Sequence, residues 1–134
     1  MRKTPLNKKG KSKTSVLQKE ADKLLQLVNK HLHKKCEACG SENQVGHHWI
    51  EKSRSSFLRY DLRNIIPLCN SCHSKIHNIF GNSVVGGLNI AEKIISIRGK
   101  KWKIEMERLQ TEYVKTDVFY YEKNIEKLNK ILTK

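Results

Sequence analysis

Four cysteines and four histidines in the middle of this chain have the spacing of metal ligands. The cysteines form two CxxC pairs, Cys36 with Cys39 and Cys69 with Cys72, at the two ends of the segment 40–68. Each CxxC turn can aim both sulfur atoms at one point, and two such turns complete a tetrahedron with Zn–S distances of about 2.3 Å. Because four thiolates leave no coordination position open, the pattern predicts a structural zinc ion. An iron–sulfur cluster and a redox dithiol pair remain as alternatives.

The histidines form a second candidate site beside the first. His47 and His48 are adjacent on a predicted strand, so their side chains point to opposite faces unless the strand bends or ends there. His73 and His77 are four residues apart on a predicted helix and share one face. One strand imidazole and the two helical ones can hold a divalent cation with positions left open for water and phosphate. The other strand histidine can then act as a base. Taken singly, each of the four would be an ordinary surface or core histidine.

The residues between these ligands predict the elements that position them. The order is strand, loop, strand and helix, a ββα unit, and the predicted fold class is α+β. The predicted ranges are a strand at 45–50, a polar loop at 51–56, an apolar segment at 64–68 and a helix from Asn70 to about residue 79. Asn70 is expected to cap that helix.

Helices are predicted on both sides of the ββα unit. The first begins at Ser15, with Gln18 as its capping-box partner. After Gly86-Gly87, a helix runs from Asn89 to Gly99. The next carries the apolar stripe Trp102, Met106, Leu109 and Tyr113, and the last, capped by Asp117, carries the stripe Val118, Tyr121, Ile125, Leu128 and Leu132. Such a stripe usually packs within its own chain; a homodimer through this C-terminal helix is the alternative.

These elements predict a simple domain organisation. Residues 1–13 are expected to be a disordered basic tail, because they hold almost nothing to bury. Residues 14–134 are expected to form a single domain, with the ββα core at 36–80 and a helical part at 88–134.

The net charge of +14 favours nucleic acid as a partner, with a solubility tail or a membrane-surface patch as the alternative. Residues 1–35 hold eleven Lys/Arg against two acids, whereas residues 36–80 are nearly neutral, with five against four. The residues predicted to contact DNA phosphates are Arg54, Arg59, Arg63, Lys100, Lys101 and Lys103. For any single one, a solvated surface charge is the alternative. No apolar run approaches the roughly 20 residues of a membrane span. There is also no export signal, so a cytoplasmic location without membrane contact is expected.

The pattern CEACG…GHHWI…RNIIPLCNSCHSKIH resembles the zinc-containing branch of the HNH, or ββα-metal, nucleases. His48, Asn64 and His73 match the three letters of the name. The resemblance implies that His48 is the general base and that His47 and His73 ligate a metal ion, with His77 as a ligand found in some members. It implies that Asn64 braces the loop and holds the backbone near His48 rather than touching substrate.

The resemblance implies hydrolysis of DNA phosphodiester bonds with one catalytic Mg²⁺, Mn²⁺, Ni²⁺ or Zn²⁺ ion besides the structural zinc. The string FLRYDLRNIIPLCNSC is similar, more narrowly, to the NinG/Rap recombination endonucleases of lambdoid phages. That similarity implies duplex or branched DNA as substrate and, for a phage-encoded chain, the bacterial host cytoplasm. The alternatives are a homing or nicking HNH endonuclease, a zinc-knuckle nucleic-acid-binding protein without catalysis, and an RNA-binding or RNA-processing factor.

Overall fold

A computed structural model describes residues 12–77 and 84–134, and for 84–88 it describes the backbone alone. The described chain forms five helices and one two-stranded antiparallel sheet, which confirms the predicted α+β class. The elements are α1 (Lys13–Leu32), β1 (Val45–His48), β2 (Ile65–Leu68), α2 (Asn70–His77), α3 (Val84–Arg98), α4 (Lys100–Leu109) and α5 (Val118–Leu132); one 3-10 turn, Leu62–Asn64, leads into β2.

The two-stranded sheet lies between two apolar clusters, and all four residues of β2 are buried. Ile66 and Leu68 pack into a cluster with α2 and α3, whereas Ile65 packs into a cluster with α1 and α5. This division follows the two-residue period of a strand. In the antiparallel register His47 lies opposite Ile66 and His48 opposite Ile65. His47 therefore belongs to the α2 face of the sheet and His48 to the α1 face.

Helix α1 approaches β1 closely because Gly46 has no side chain. The Gly46 N–H donates to Gln26 Oε1 at 2.8 Å, and Gln26 Nε2 donates back to the Gly46 carbonyl at 3.1 Å. A Cβ atom on Gly46 would lie 2.7 Å from Ile65 Cγ2 and 3.1 Å from Asn29 Cγ. Gly46 thus allows the Gln26 side chain of α1 to hydrogen-bond directly with the backbone of β1.

Two of the predicted helix starts are wrong. The N-cap of α1 is Ser12, whose Oγ accepts from the Ser15 N–H at 3.2 Å, so the helix begins inside the predicted tail. The rest of that tail, residues 1–11, lies outside the described residues. Helix α3 begins at Val84 and includes Gly86-Gly87, which were expected to precede it. Further along α3, Ile90 and Ile94 pack into the core, and tertiary packing of this kind overrides the low helix propensity of a glycine pair.

Other predicted helix boundaries are confirmed. Gly99, at φ +97°, separates α3 from α4, as a residue without a Cβ atom can. The Asp117 carboxylate caps α5 by accepting from the Tyr120 N–H at 2.9 Å. The predicted stripe on α4 is too long, because α4 ends at Leu109 and Tyr113 beyond it is 84% exposed.

The stripe on α5 packs within the chain. Tyr121 and Leu128 lie in one buried cluster with Leu25 and Val28 of α1. Intramolecular packing of the stripe is therefore confirmed, and the alternative of a homodimer through this surface is not supported. No helix of the described chain is both long enough and apolar enough to cross a membrane.

Replacing Gly46 with alanine should destabilise the fold by about 1–3 kcal/mol, because Ile65 and Asn29 must move to admit the methyl group. Urea unfolding followed by circular dichroism measures the change. Ser71→Ala, an exposed change on α2, is the control and should stay within about 0.5 kcal/mol of the parent. An unchanged midpoint for Gly46→Ala would contradict the close approach of α1 and β1.

Candidate active site and metal centre

The first CxxC pair is held in a tight turn by backbone hydrogen bonds. The Gly40 N–H donates to the Cys36 carbonyl at 2.9 Å, and the Cys36 N–H donates to the Ser41 carbonyl at 2.6 Å. Gly40 adopts φ +80°, a left-handed conformation that L side chains rarely take. The turn thereby brings Cys36 and Cys39 to one side.

The second CxxC pair forms the start of α2. Cys69 Sγ accepts from the Cys72 N–H at 3.4 Å, and the Cys69 carbonyl accepts from the His73 N–H at 2.9 Å. Cys69, rather than the predicted Asn70, is therefore the capping residue, and Asn70 is already helical. A thiolate there is favoured by the positive end of the helix dipole.

The four sulfur atoms lie within 4.8 Å of one another, and none is in a disulfide. The Cys39 and Cys69 Sγ atoms are 3.7 Å apart. This agrees with the edge of about 3.8 Å that Zn–S distances of about 2.3 Å give a tetrahedron. The four cysteines are thus positioned to bind a metal ion, and their geometry fits zinc.

The acidity of the thiols supports the same conclusion. Hydrogen bonds from Ser41 and from the Cys72 N–H lower the pKa of Cys69 to about 6, and a Ser41 hydrogen bond also lowers the pKa of Cys39. Burial raises the pKa of Cys72. The protein alone therefore does not ionise all of them, whereas a bound cation deprotonates coordinating thiols outright.

Three histidines converge on the α2 face of the sheet. His73 and His77 Nε2 are 2.8 Å apart, and one ring nitrogen of each, with one of His47, lies within 4.8 Å of the others. Burial, and then the neighbouring His73 and His77, lower the pKa of His47 to about 3. His47 is therefore neutral near pH 7, the form that ligates metals. Its buried Nδ1 has no hydrogen-bond partner within the described chain. The donor set fits a divalent cation.

These histidines line an open cleft of about 400 Å³. His48 also reaches this cleft, although it lies on the α1 face, because β1 ends at His48. Lys52 lines it too and was not singled out by the sequence, since one lysine in a polar loop carries no distinguishing signal. A phosphate in the cleft would meet the three clustered imidazoles, the His48 imidazole and the Lys52 ammonium group, and the Glu51 carboxylate also lies in the lining.

His48 is held by a backbone carbonyl. Its Nε2 lies 2.9 Å from the Arg59 carbonyl oxygen. Because a carbonyl only accepts, Nε2 carries the proton and Nδ1 holds the lone pair. Burial lowers the pKa of His48, so its ring is neutral near pH 7 and able to accept a proton.

Asn64 holds both ends of the loop that joins the strands. Its Oδ1 accepts from the Ile50 N–H at 2.8 Å, and its Nδ2 donates to the Ile50 carbonyl at 3.0 Å and to the Leu58 carbonyl at 3.4 Å. The Asn64 carbonyl accepts from the Trp49 N–H at 2.8 Å. The side chain is fully buried, so it contacts this loop and not solvent.

Asp22 of α1 fixes the residues that hold His48, and sequence reasoning missed it. Its carboxylate accepts from Arg59 Nε at 3.1 Å and Nη2 at 2.7 Å, and from the Tyr60 hydroxyl at 2.7 Å. Arg59, expected to bind DNA phosphate, has a side chain only 13% exposed. Its guanidinium is used within the fold. Only the tertiary structure brings α1 to this loop, so no local signal could have revealed the pair.

The other expected phosphate contacts lie at the surface. Arg54, Lys100 and Lys101 are exposed, and the structure does not bring them into the lining of the histidine cleft. Arg63 pairs with Asp61 at 2.6 Å and Lys103 with Glu107 at 2.7 Å. Arg63 keeps half of its side chain exposed.

Comparison with known proteins agrees with this geometry. A family model described as HNH endonuclease matches residues 36–78, the segment that contains both CxxC pairs and the four clustered histidines. Searches of curated proteins and of solved structures returned no match. Residues 36–78 thus match an HNH endonuclease domain, with four cysteines positioned to bind a metal ion. The narrower resemblance to NinG/Rap enzymes is not confirmed.

Replacing Cys39 with serine should release the structural metal and unfold the centre of the chain. Structural zinc in small peptides contributes on the order of 10–16 kcal/mol at neutral pH, so the remaining contacts cannot compensate. Zinc per chain by plasma mass spectrometry and thermal unfolding by circular dichroism measure the two effects. Ser41→Ala, which removes hydrogen bonds to Cys39 and Cys69 but no sulfur atom, should retain zinc. Parent-like zinc content and melting in Cys39→Ser would show that the thiolates are not ligands.

Proposed function

We propose that the protein is a metal-dependent DNA endonuclease whose reaction takes place in the histidine cleft. The HNH domain implies DNA as substrate. The observation that supports catalysis is the convergence of three imidazoles on one point beside a fourth whose Nδ1 is left with its lone pair. A binding module would not require these neutral imidazoles at the open end of a cleft.

In this proposal His48 is the general base. Nδ1 takes the proton of an attacking water while Nε2–H keeps its hydrogen bond to the Arg59 carbonyl. That carbonyl also stabilises the imidazolium that forms, and Asp22 keeps the carbonyl in place through the Arg59 side chain. Asn64 keeps the loop closed on the other side. Lys52 lies where it can neutralise a phosphate oxygen.

His47, His73 and His77 would hold the catalytic cation. Such an ion, when bound, neutralises charge on the scissile phosphate and the leaving oxygen. Imidazole ligands favour Mn²⁺, Ni²⁺ or Zn²⁺ over Mg²⁺ in vitro. A role in recombination on branched DNA, in a bacterial host cytoplasm, rests on the resemblance to the NinG/Rap enzymes alone.

Replacing His48 with alanine should reduce metal-dependent plasmid nicking by at least about a hundredfold, the usual contribution of a general base. Nicking is followed on agarose gels with Mn²⁺ or Mg²⁺ added. Zinc content and DNA affinity should equal those of the parent, because the four cysteines and the basic side chains remain in place. The exposed His31→Ala is the matched control and should cleave normally. Parent-like nicking by His48→Ala would exclude it as the base, and a parent without metal-dependent nicking would exclude the nuclease.

Replacing His73 with alanine should weaken binding of the second metal ion by at least about tenfold while the four-cysteine zinc stays bound, because one of three imidazoles is lost. Isothermal titration of the zinc-loaded chain with Mn²⁺ measures this affinity. His33→Ala, an exposed histidine outside the cluster, should bind Mn²⁺ as the parent does. An unchanged Mn²⁺ affinity in His73→Ala would place the ion elsewhere.

A further inference from the structure

A second groove lies along α5, outside the histidine cleft. It has a volume of about 770 Å³ and is lined by Phe57 of the β1–β2 loop and by residues at and around α5. Phe119, Lys123, Lys127 and Lys130 follow one another at spacings of four, four and three residues, so they share one face of the helix. The opposite face of α5 packs on α1. The groove face is therefore open.

The groove combines exposed aromatic rings with positive charge. Phe119 is 70% exposed and Phe57 39% exposed, and both line the same groove. Four lysines line the groove against two acids, of which Asp117 is the helix cap and Glu126 pairs with Lys130 at 3.2 Å. The ammonium groups of Lys115 and Lys123 make no hydrogen bond or ion pair within the described residues.

This chemistry selects one kind of occupant. Lysines bind phosphates, and the face of an aromatic ring stacks on any base, so the combination suits a strand whose bases are unpaired. The bases of a duplex are stacked on one another and cannot reach the rings. Two other occupants are opposed by charge repulsion. The segment 1–11 of the same chain has five basic and no acidic residues, and a second copy of the chain carries a net charge of +14.

The groove and the cleft are joined by the loop 51–60. Glu51, Lys52 and Ser53 line the cleft, whereas Phe57 lines the groove. The loop is fastened to α5 by the Tyr120 hydroxyl, which donates to the Ser56 carbonyl at 2.5 Å. A second hydrogen bond joins α5 to the end of this loop, because Lys127 Nζ donates to the Tyr60 carbonyl at 2.8 Å.

We infer that the α5 groove binds a single-stranded arm of DNA whose adjoining duplex lies in the histidine cleft. Phe57 and Phe119 stack on the unpaired bases, and Lys115 and Lys123 contact the phosphates. This assigns DNA with a single-strand–duplex junction as the substrate class. The cleavage test of this inference rests on the proposed function, whereas the DNA-binding test is independent of catalysis.

The binding test uses the zinc-loaded full chain without added catalytic metal, and measures fluorescence anisotropy of labelled oligothymidylate and of a blunt duplex of equal length. Phe119→Ala should weaken oligothymidylate binding roughly tenfold and leave duplex binding within about twofold, because one base loses its stacking partner. Leu27→Ala, a similarly exposed apolar change on α1, should alter neither. Parent-like oligothymidylate binding in Phe119→Ala, or an equal loss on both DNAs, would overturn the inference.

Charge is tested with two double variants that each lower the net charge by two. Lys115→Gln with Lys123→Gln should reduce the slope of log affinity against log salt for oligothymidylate by about 1.4, since each phosphate contact on a single strand contributes about 0.7. Lys19→Gln with Lys23→Gln, on the exposed face of α1, should leave the slope unchanged. Equal slopes in the two variants would overturn the inference. The inference would also be overturned if polyglutamate displaced oligothymidylate as effectively as unlabelled DNA does. The groove would then recognise negative charge alone.

The cleavage test separates the groove from the active site. The parent should cut a forked duplex with one single-stranded arm roughly tenfold faster than a blunt duplex, and Phe119→Ala should cut both at the blunt-duplex rate. A parent that cuts fork and blunt duplex equally would contradict the inference and leave the nuclease intact. A parent that cuts neither would contradict the proposed nuclease, while the anisotropy results would still decide the groove.

Discussion

The convergence of four cysteine sulfurs on one point is the constraint on which the site depends. The first CxxC turn precedes β1 and the second joins β2 to α2, so bringing the two together fixes the sheet and α2 as one body. Cys69 also accepts from the first turn of α2, and Cys72 immediately precedes His73. The metal centre thereby sets where the helical histidines stand. A unit of this size buries too little apolar surface to hold such positions alone.

The sheet gives its two adjacent histidines different surroundings. His47 faces α2, where burial and two further imidazoles keep it neutral, and His48 faces α1, where the Arg59 carbonyl directs its proton to Nε2. Because β1 ends at His48, both rings still reach one cleft. The proposed division into metal ligand and base is therefore a consequence of strand alternation and of what packs on each face.

The helices around the core hold the loop that completes the site. Asp22 of α1 binds Arg59 and Tyr60, Asn64 closes the loop from within, and α4 packs Met106 against Leu58. The same loop is tied to α5 and contributes Phe57 to the groove there. A single loop thus connects three helices, the histidine cleft and the open face of α5, which is why the two surfaces can serve one DNA molecule in our proposal.

The sequence by itself determined the local features. Cysteine pairs three residues apart, histidines four apart and Asn64 before β2 are short-range patterns, and they were sufficient to predict the ββα order, the four-cysteine centre and the α+β class. The pairing of Asp22 with Arg59, the cover of the α5 stripe by α1 and the aromatic groove come from residues far apart in the chain. Only the tertiary structure decided those, because a charge or an apolar stripe does not specify its partner until packing brings one to it.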